Sequence, residues 1–150
     1  MSGQRPLPMR GLYDDEFWDH VARGEYRMQR CEDCGFIRYP PAPCCPECLS
    51  EAAHWDVLSG TGRIVSWTRF HRQYFDDLPA PYVVVSVATT EGPMVIGNLV
   101  GAAGLEPMIG AAVELQFETI ATPEGELRLP QWTMTKRIPD KTHLQEDKTE

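Results

Sequence analysis

Polar and apolar residues alternate along most of this chain, and the alternation predicts β-strands. The predicted strands cover residues 25–30, 36–39, 55–57, 63–72, 82–88, 94–100, 113–118 and 127–134. Glycine and proline cluster between them, as in the turns at 91–93 and 123–126. Segment 82–88 is β-branched and almost wholly apolar, which favours a central strand. The chain is therefore predicted to be mainly β.

One segment near the start, 13–24, has the spacing of a helix instead. Its apolar residues form one stripe, made of Tyr13, Phe17, Val21 and, one step aside, Trp18. Acidic residues fill the first turn, where the helix dipole favours negative charge, and Gly24 is a candidate C-terminal cap. The stripe either packs into the core or docks on another protein.

Four of the five cysteines form two pairs, Cys31 with Cys34 and Cys45 with Cys48. Each pair places two thiolates on one tight turn, and Gly35 supplies the unusual backbone angle that the first turn needs. Two facing turns provide the tetrahedral four-sulfur shell that zinc prefers. We predict structural zinc, because four thiolates leave no open position for water or substrate. Two disulfides, or four thiols packed in a core, are the alternatives.

The order of elements divides the chain into modules. Strand, cysteine turn, strand, proline-rich connector and second cysteine turn is the layout of a zinc ribbon. The later strands, with glycines where a small barrel must bend, predict a closed or nearly closed five-stranded barrel of the OB type. An irregular segment, 102–107, lies where the OB barrel carries an insertion. The predicted modules are an arm and helix over 1–25, a zinc ribbon over 26–58, an OB-fold barrel over 59–138 and a disordered charged tail over 139–150.

Composition and charge restrict the classes of protein to which the chain can belong. The 150 residues are 42% hydrophobic and 24% charged, which is typical of a globular protein. No signal peptide is visible at the N-terminus and no apolar run approaches about 18 residues, so a cytoplasmic protein with reduced thiols is expected. The net charge of −8 argues against a free nucleic-acid binder, because such proteins normally present a basic surface.

One stretch is nevertheless locally basic. Its basic and aromatic candidates for ligand binding are Arg63, Trp67, Arg69, His71 and Arg72. Arginines can grip the phosphates of CoA while an aromatic ring stacks on adenine. The same composition can stack single-stranded nucleic acid, or it can simply be a barrel strand with one charged, solvated face.

The chain resembles a widespread prokaryotic family that joins an N-terminal helix and a rubredoxin-like zinc ribbon to a C-terminal OB fold. The matching pieces are CEDCG, RYPPAPCC, CPEC, GTGRIVSWTRFHR, PYVVVSVATTEGP, IGNLVG, IGAAVELQF and LPQW. The resemblance implies an accessory subunit that complexes with a thiolase-superfamily enzyme and helps to bind a CoA thioester. It also implies that Cys45, within CPEC, is a zinc ligand and that Cys44 is a bystander thiol. The implied metal ligands are thus Cys31, Cys34, Cys45 and Cys48.

No catalytic motif stands out from the sequence. Cys44 would need a neighbouring base to act as a nucleophile, and the four histidines have no metal or triad spacing. We therefore predict a non-catalytic subunit, in a heterotetramer with two copies of each chain, that acts with a thiolase-like enzyme on an acyl-CoA by condensation, thiolysis or retro-aldol cleavage. The alternatives are an OB-fold protein that binds single-stranded nucleic acid and a stand-alone acyl-CoA thioesterase.

Overall fold

The structure, a computed structural model, describes residues 3–101 and 106–135. Its helix and strands are, in chain order, α1 (Asp14–Ala22), β1 (Arg27–Cys31), β2 (Ile37–Arg38), β3 (Ala53–Val57), β4 (Thr61–Phe70), β5 (Tyr82–Thr89), β6 (Met94–Asn98), β7 (Ala112–Thr122) and β8 (Gly125–Met134). The predicted mainly β fold with one N-terminal helix is confirmed. Most of the predicted insertion at 102–107, and all of the predicted tail at 139–150, lie outside the described residues. No helix among the described residues is long and apolar enough to cross a membrane.

Helix α1 packs its apolar stripe inward at two positions. Phe17 and Val21 are only 5% and 0% exposed, whereas Tyr13 at the helix start lies open to solvent. Gly24 has a φ of +78° and its N–H donates to the carbonyl oxygen of Val21, which ends the helix as expected for a C-terminal glycine. Of the two interpretations of the stripe, burial in the core holds for Phe17 and Val21.

The first sheet has three antiparallel strands in the order β2-β1-β3. Arg30 in the central strand pairs with Ile37 on one side and with His54 on the other. Strand β1 ends at Cys31, so the first cysteine pair lies on the turn to β2. The second pair lies in the connector from β2 to β3. The sheet therefore brings the two cysteine turns to the same end.

The second sheet has five antiparallel strands in the order β6-β5-β4-β7-β8. A β-bulge between Ile64 and Ser66 bends β4, so that its first residues pair with β7 and its longer part follows β5. The sheet closes where the two outer strands meet: Leu99 bridges Trp132 in parallel, and the N–H of Val100 donates to the Trp132 carbonyl oxygen at 2.8 Å. This closure is that of the predicted five-stranded OB barrel.

One apolar core joins the helix, the small sheet and the barrel. Trp132 lies at its centre, 1% exposed, with its ring 6.3 Å from the ring of Tyr26 in an edge-on arrangement. Tyr26 in turn contacts Phe17 of the helix at 6.3 Å between ring centroids. Space around the Trp132 ring is tight, since a Cβ atom on Gly97 would lie 3.0 Å from it. The three modules therefore share buried surface.

The passage from the small sheet to the barrel is held by hydrogen bonds on both sides. The N–H of Leu58 donates to the Tyr26 carbonyl oxygen at 2.9 Å, and Leu58 itself is buried. The N–H of Ser59 donates to a carboxylate oxygen of Glu91 at 2.6 Å. The boundary predicted after residue 58 coincides with this junction and stays a prediction.

Candidate functional site

Four sulfur atoms meet between the two cysteine turns. The Sγ atoms of Cys31, Cys34, Cys45 and Cys48 all lie within 4.8 Å of one another. The distances from Cys31 to Cys48 and from Cys34 to Cys45 are both 3.5 Å between sulfurs. A tetrahedral zinc ion with metal–sulfur bonds of about 2.3 Å requires sulfur–sulfur distances of about 3.8 Å. The cluster therefore fits one zinc ion in a closed four-sulfur shell.

The surroundings of the cysteine turns favour the ionised thiolate at some of the four cysteines and disfavour it at others. The N–H groups of Cys34 and Asp33 point at the first sulfur and lower the pKa of Cys31 to about 6. The N–H of Ser50 favours ionisation of Cys48, but the neighbouring sulfurs raise the pKa of Cys48 to about 12. Four thiolates this close repel one another, and a bound cation removes the repulsion. The donor set is thus suited to a metal ion.

The fifth cysteine, Cys44, is half-buried and lies outside the four-sulfur cluster. All five cysteines are free thiols, so the alternative of two disulfides does not hold. Two of the clustered residues, Cys34 and Cys48, are exposed. Exposed thiols do not fit the alternative of a thiol-lined core, whereas paired buried and exposed cysteines fit a metal site at the surface of a small sheet.

Arg38 is a structural residue of this site that the sequence pattern did not single out. Its side chain is almost fully buried, with 2% of the residue exposed. Nη2 donates to the carbonyl oxygens of Ser50 at 2.7 Å and Ala52 at 3.1 Å. Nη1 approaches three further carbonyl oxygens at the edge of hydrogen-bond distance, those of Ala42, Pro43 and Glu51. One guanidinium therefore connects both ends of the connector that carries the second cysteine pair.

The alternating pattern gave no signal for this role. In a two-residue strand, β2, both Ile37 and Arg38 are buried, so the period of two does not distinguish an inner from an outer face. A charged residue is rarely buried without a carboxylate partner, so nothing in the sequence marks Arg38 as a buried residue. In the folded protein several carbonyl groups of the connector point inward, and pairing them requires one side chain with several hydrogen-bond donors.

The structure separates the five predicted CoA-binding residues into two groups. Arg63 lies near the start of β4 and donates from Nη1 to the Gly110 carbonyl oxygen at 3.0 Å. Arg69 is six positions further along the same strand, which corresponds to about 20 Å in an extended chain. Trp67, Arg69, His71 and Arg72 follow one another at the other end of β4 and in the loop after it. Arg63 is therefore not brought to the same place as the other four.

The four residues at the far end of β4 and in the loop after it, which we call the distal group, are arranged around aromatic rings. The guanidinium of Arg69 lies 5.8 Å from the Trp67 ring centroid and forms an ion pair with Glu106 at 2.9 Å. The guanidinium of Arg72 lies 5.4 Å from the ring of Tyr74. Tyr74 meets Phe70 edge-on, and Phe70 stacks on Tyr82 with ring centroids 4.9 Å apart and 7° between planes. A cation and a set of aromatic faces thus lie together at this end of the barrel.

The N-terminal arm holds the loop that carries Arg72 and Tyr74. Arg5 forms ion pairs with Asp77 of that loop at 3.0 Å and with Glu118 of β7 at 2.9 Å. The N–H of Asp76 also donates to the carbonyl oxygen of Gly3 at 3.1 Å. The arm was predicted only as a module with the helix, and its contacts join residues more than seventy positions apart, so no local pattern could indicate them.

His20 and His54 lie among charged groups. In His20, which is buried, Nδ1 is 2.8 Å from Nη2 of Arg23 and 3.2 Å from a carboxylate oxygen of Glu25. Nδ1 of His54 is 3.8 Å from a carboxylate oxygen of Glu32. The His20 contacts lie at the end of α1, within residues 20–25, and the His54 contact lies on the small sheet, between β3 and the residue after β1. They resemble structural ion pairs.

Comparisons with known proteins cover both modules. A family model described as the rubredoxin-like zinc ribbon domain of ChsH2 matches residues 18–53. A second, described as the C-terminal OB-fold domain of ChsH2, matches residues 55–118. A solved structure named Ltp2-ChsH2(DUF35) aldolase is similar with a TM-score of 0.77 and 33% sequence identity, and the match covers 85% of this chain and 98% of that one.

Two curated relatives differ in length from each other. A probable enoyl-CoA hydratase alpha subunit of Thermomonospora curvata is 38% identical over 120 residues, which is 78% of this chain but only 36% of that protein. A DUF35 domain-containing scaffold protein of Methanocaldococcus jannaschii is 30% identical over 107 residues, which is 69% of this chain and 75% of that protein. The chain therefore spans about a third of the hydratase subunit and most of the scaffold protein.

The ligand assignment can be tested with two serine substitutions. We expect Cys48→Ser to lose zinc, because three thiolates no longer close the shell, and to lower solubility, because the site contributes on the order of 10 kcal/mol to folding. The adjacent thiol gives the control: Cys44→Ser should keep one zinc per chain by elemental analysis. Zinc retained in Cys48→Ser, or lost in Cys44→Ser, would contradict the assignment.

The role of Arg38 can be tested by removing its donors. Arg38→Met leaves buried carbonyl groups unpaired, so we expect the free energy of unfolding to fall by about 3 kcal/mol. A chelator should also remove zinc faster. Arg10→Met is the matched control, since Arg10 is a half-exposed partner of Asp15 and Asp19 away from the cysteine turns, and its loss should cost less than about 1 kcal/mol. Equal stability of the two variants in urea unfolding would show that Arg38 has no special role.

Proposed function

The chain belongs to the family of ChsH2 and DUF35 proteins, which join a rubredoxin-like zinc ribbon to an OB fold, and we propose that it is an accessory subunit of an enzyme complex that acts on a CoA thioester. The enzyme subunit would be a thiolase-superfamily protein. It would make or break a carbon–carbon bond next to the thioester by condensation, thiolysis or retro-aldol cleavage. We expect two copies of each chain in the complex.

The observation that carries this proposal is a closed four-sulfur shell in a fold that the chain shares with proteins named as subunits. Four thiolates within 4.8 Å fill the coordination of a zinc ion, so the metal would stabilise the ribbon and would not activate water. The relatives are named as an alpha subunit, as a scaffold protein and as part of an aldolase with two named components. Such names describe polypeptides that work beside another chain.

The distal end of β4 is the part of the surface best suited to CoA. Arg72 has its guanidinium over the Tyr74 ring, which leaves the donors at the edge of the plane free to bind phosphate oxygens. Tyr74 is 49% exposed and offers a face for adenine. Arg69 would add a second cation once phosphate replaces its partner Glu106. His71, which is exposed, and Trp67 flank these residues.

Arg63 would have a different role in this proposal. It lies about 20 Å from Arg69 along β4, which is too far for both to grip one phosphate group. An extended CoA molecule reaches over such a distance, but the Gly110 carbonyl oxygen already occupies one donor of Arg63. We therefore assign the CoA contact to Trp67, Arg69, His71 and Arg72, and leave Arg63 at the other end of the strand.

The proposal of an accessory subunit is tested by co-purification. The tagged chain, expressed in its own host, should bring down a thiolase-superfamily polypeptide in equal molar amount, identified by mass spectrometry. Light scattering should give the mass of two copies of each. The enzyme subunit should be inactive alone and gain activity when the purified chain is added. Absence of such a polypeptide, or turnover of acyl-CoA by the isolated chain, would refute the proposal.

The proposed CoA contact is tested in the purified complex. We expect the double variant Arg69→Ala, Arg72→Ala to raise the Kd of a fluorescent CoA thioester by about 100-fold, because each charge-assisted contact contributes about 1.5 kcal/mol. Arg27→Ala with Arg30→Ala removes the same charge from the small sheet and should leave the Kd unchanged. An unchanged Kd in the first double variant would exclude CoA from this end of the barrel.

A further inference from the structure

In OB folds the outer face of the second and third barrel strands is a recurrent binding surface for oligonucleotides and oligosaccharides. Here those strands are β5 and β6. Their inward side chains include Val85, Val87 and Val95, which are 0 to 2% exposed. The alternate residues point outward, and the register pairs them as Val84 with Asn98, Ser86 with Ile96 and Ala88 with Met94. We call these six residues the outer face.

The outer face lacks the chemistry that binds nucleic acid or sugar phosphates. None of its six residues is charged or aromatic, although 24% of the chain is charged and the net charge is −8. Binding of single strands on an OB surface needs aromatic rings for stacking and cations for the backbone. Instead Met94 and Ile96 present apolar side chains that are 59% and 71% exposed. Depletion of charge together with exposed methionine is typical of the core of a protein–protein interface.

A groove continues this face across the next two strands. It has a volume of about 560 Å³ and runs over Ala88 of β5, Arg63 of β4 and Ala112 of β7, which lie opposite one another in the register. The groove is lined by the small side chains of Ala88 and Ala112 and by two residues of opposite charge, Arg63 and Glu114. One charge of each sign leaves the groove without net charge. It can therefore accept apolar side chains that protrude from a partner.

The edge of β6 is also open beside these apolar residues. The N–H of Thr89 donates to the Pro93 carbonyl oxygen, so residues 93, 95 and 97 face β5, whereas Asn98 turns its N–H away to Gln131. By the same alternation the backbone groups of Met94 and Ile96 point to the free edge. Among the described residues nothing hydrogen-bonds to them there. Proteins usually protect such an edge with charge, proline or a bulge, and β6 contains none of these.

We propose that the outer face and the adjoining groove are the surface on which the enzyme subunit packs. This inference rests on the proposed function and adds the location of the interface. Residue Val84 of the face is two positions from the start of β5, and β5 follows directly on the loop that carries Arg72 and Tyr74. An enzyme subunit seated on the face would thus reach the residues assigned to CoA at the Val84 end, while Ala88 and Met94 lie toward Arg63 at the other end of β4. The part of the partner that meets the outer face should be apolar and uncharged.

The test introduces a carboxylate at the centre of the face. We expect Ile96→Glu to raise the Kd for the purified thiolase-superfamily subunit, found by co-purification, by at least 100-fold, because the carboxylate would be desolvated in the interface. Val57→Glu is the matched control, since Val57 is 58% exposed on a strand of the other sheet and should leave the Kd unchanged. Both variants should keep one zinc per chain and the wild-type melting temperature. A photocrosslinking residue at position 96, and not at position 57, should capture the enzyme subunit.

Each other result has a clear meaning. Wild-type binding that Ile96→Glu leaves intact would overturn the inferred interface while the proposed function stands. Failure of the wild-type chain to bind any thiolase-superfamily subunit would overturn both. A dimer of the isolated chain that Ile96→Glu dissociates would assign the face to a second copy. Single-stranded DNA binding that Ile96→Glu abolishes would assign it to nucleic acid.

Discussion

The mutual repulsion of four sulfur atoms held within 4.8 Å is the constraint on which the small sheet depends. The sheet has few means of its own to stay folded: β2 contributes two residues, and the connector to β3 is rich in proline and has no regular structure. Backbone N–H groups favour the thiolate of Cys31, but they cannot stabilise four thiolates together. A bound cation supplies the positive charge that stabilises the four thiolates together. The metal ion is therefore part of the fold of this module, and the chemistry of its closed shell keeps it from being more than that.

Arg38 pairs with buried carbonyl groups of the same connector. The connector turns several carbonyl groups inward where no strand can pair with them, and a buried unpaired carbonyl is costly. One buried guanidinium, 2% exposed, donates to those groups and so replaces a missing strand edge. Lysine would not serve in its place, because its donors radiate from one atom whereas the fork of arginine reaches two ends of a loop. The zinc ribbon is thus stabilised both by its four metal-binding sulfur atoms and by the guanidinium of Arg38.

Local patterns predicted the elements and the cysteine cluster, because strand alternation and turn spacing act over a few residues. The spacing of Cys31 and Cys34 alone fixes two sulfurs on one turn, whatever the rest of the chain does. Arg5 shows the limit: its partners Asp77 and Glu118 lie 72 and 113 positions away, and nothing near Arg5 indicates them. The pairing of Arg69 with Glu106 was hidden for the same reason, since no acidic residue is close to Arg69 in sequence. Arg63 belongs to the same stretch without acidic residues as Arg69, but it lies near the other end of β4.

The separation of apolar and cationic surfaces explains why this barrel suits a partner role. A protein with a net charge of −8 repels anionic ligands in general, so a CoA phosphate would be held only where cations are locally concentrated. That concentration occurs around Arg69 and Arg72 at the end of β4, whereas Met94 and Ile96 expose apolar surface on β6, two strands away in the same sheet. On a nucleic-acid-binding OB fold the cations and rings would occupy the sheet face itself. Here the outer face of β5 and β6 carries neither cations nor rings, which is why we assign it to protein contact and assign the CoA contact to the charged end of β4.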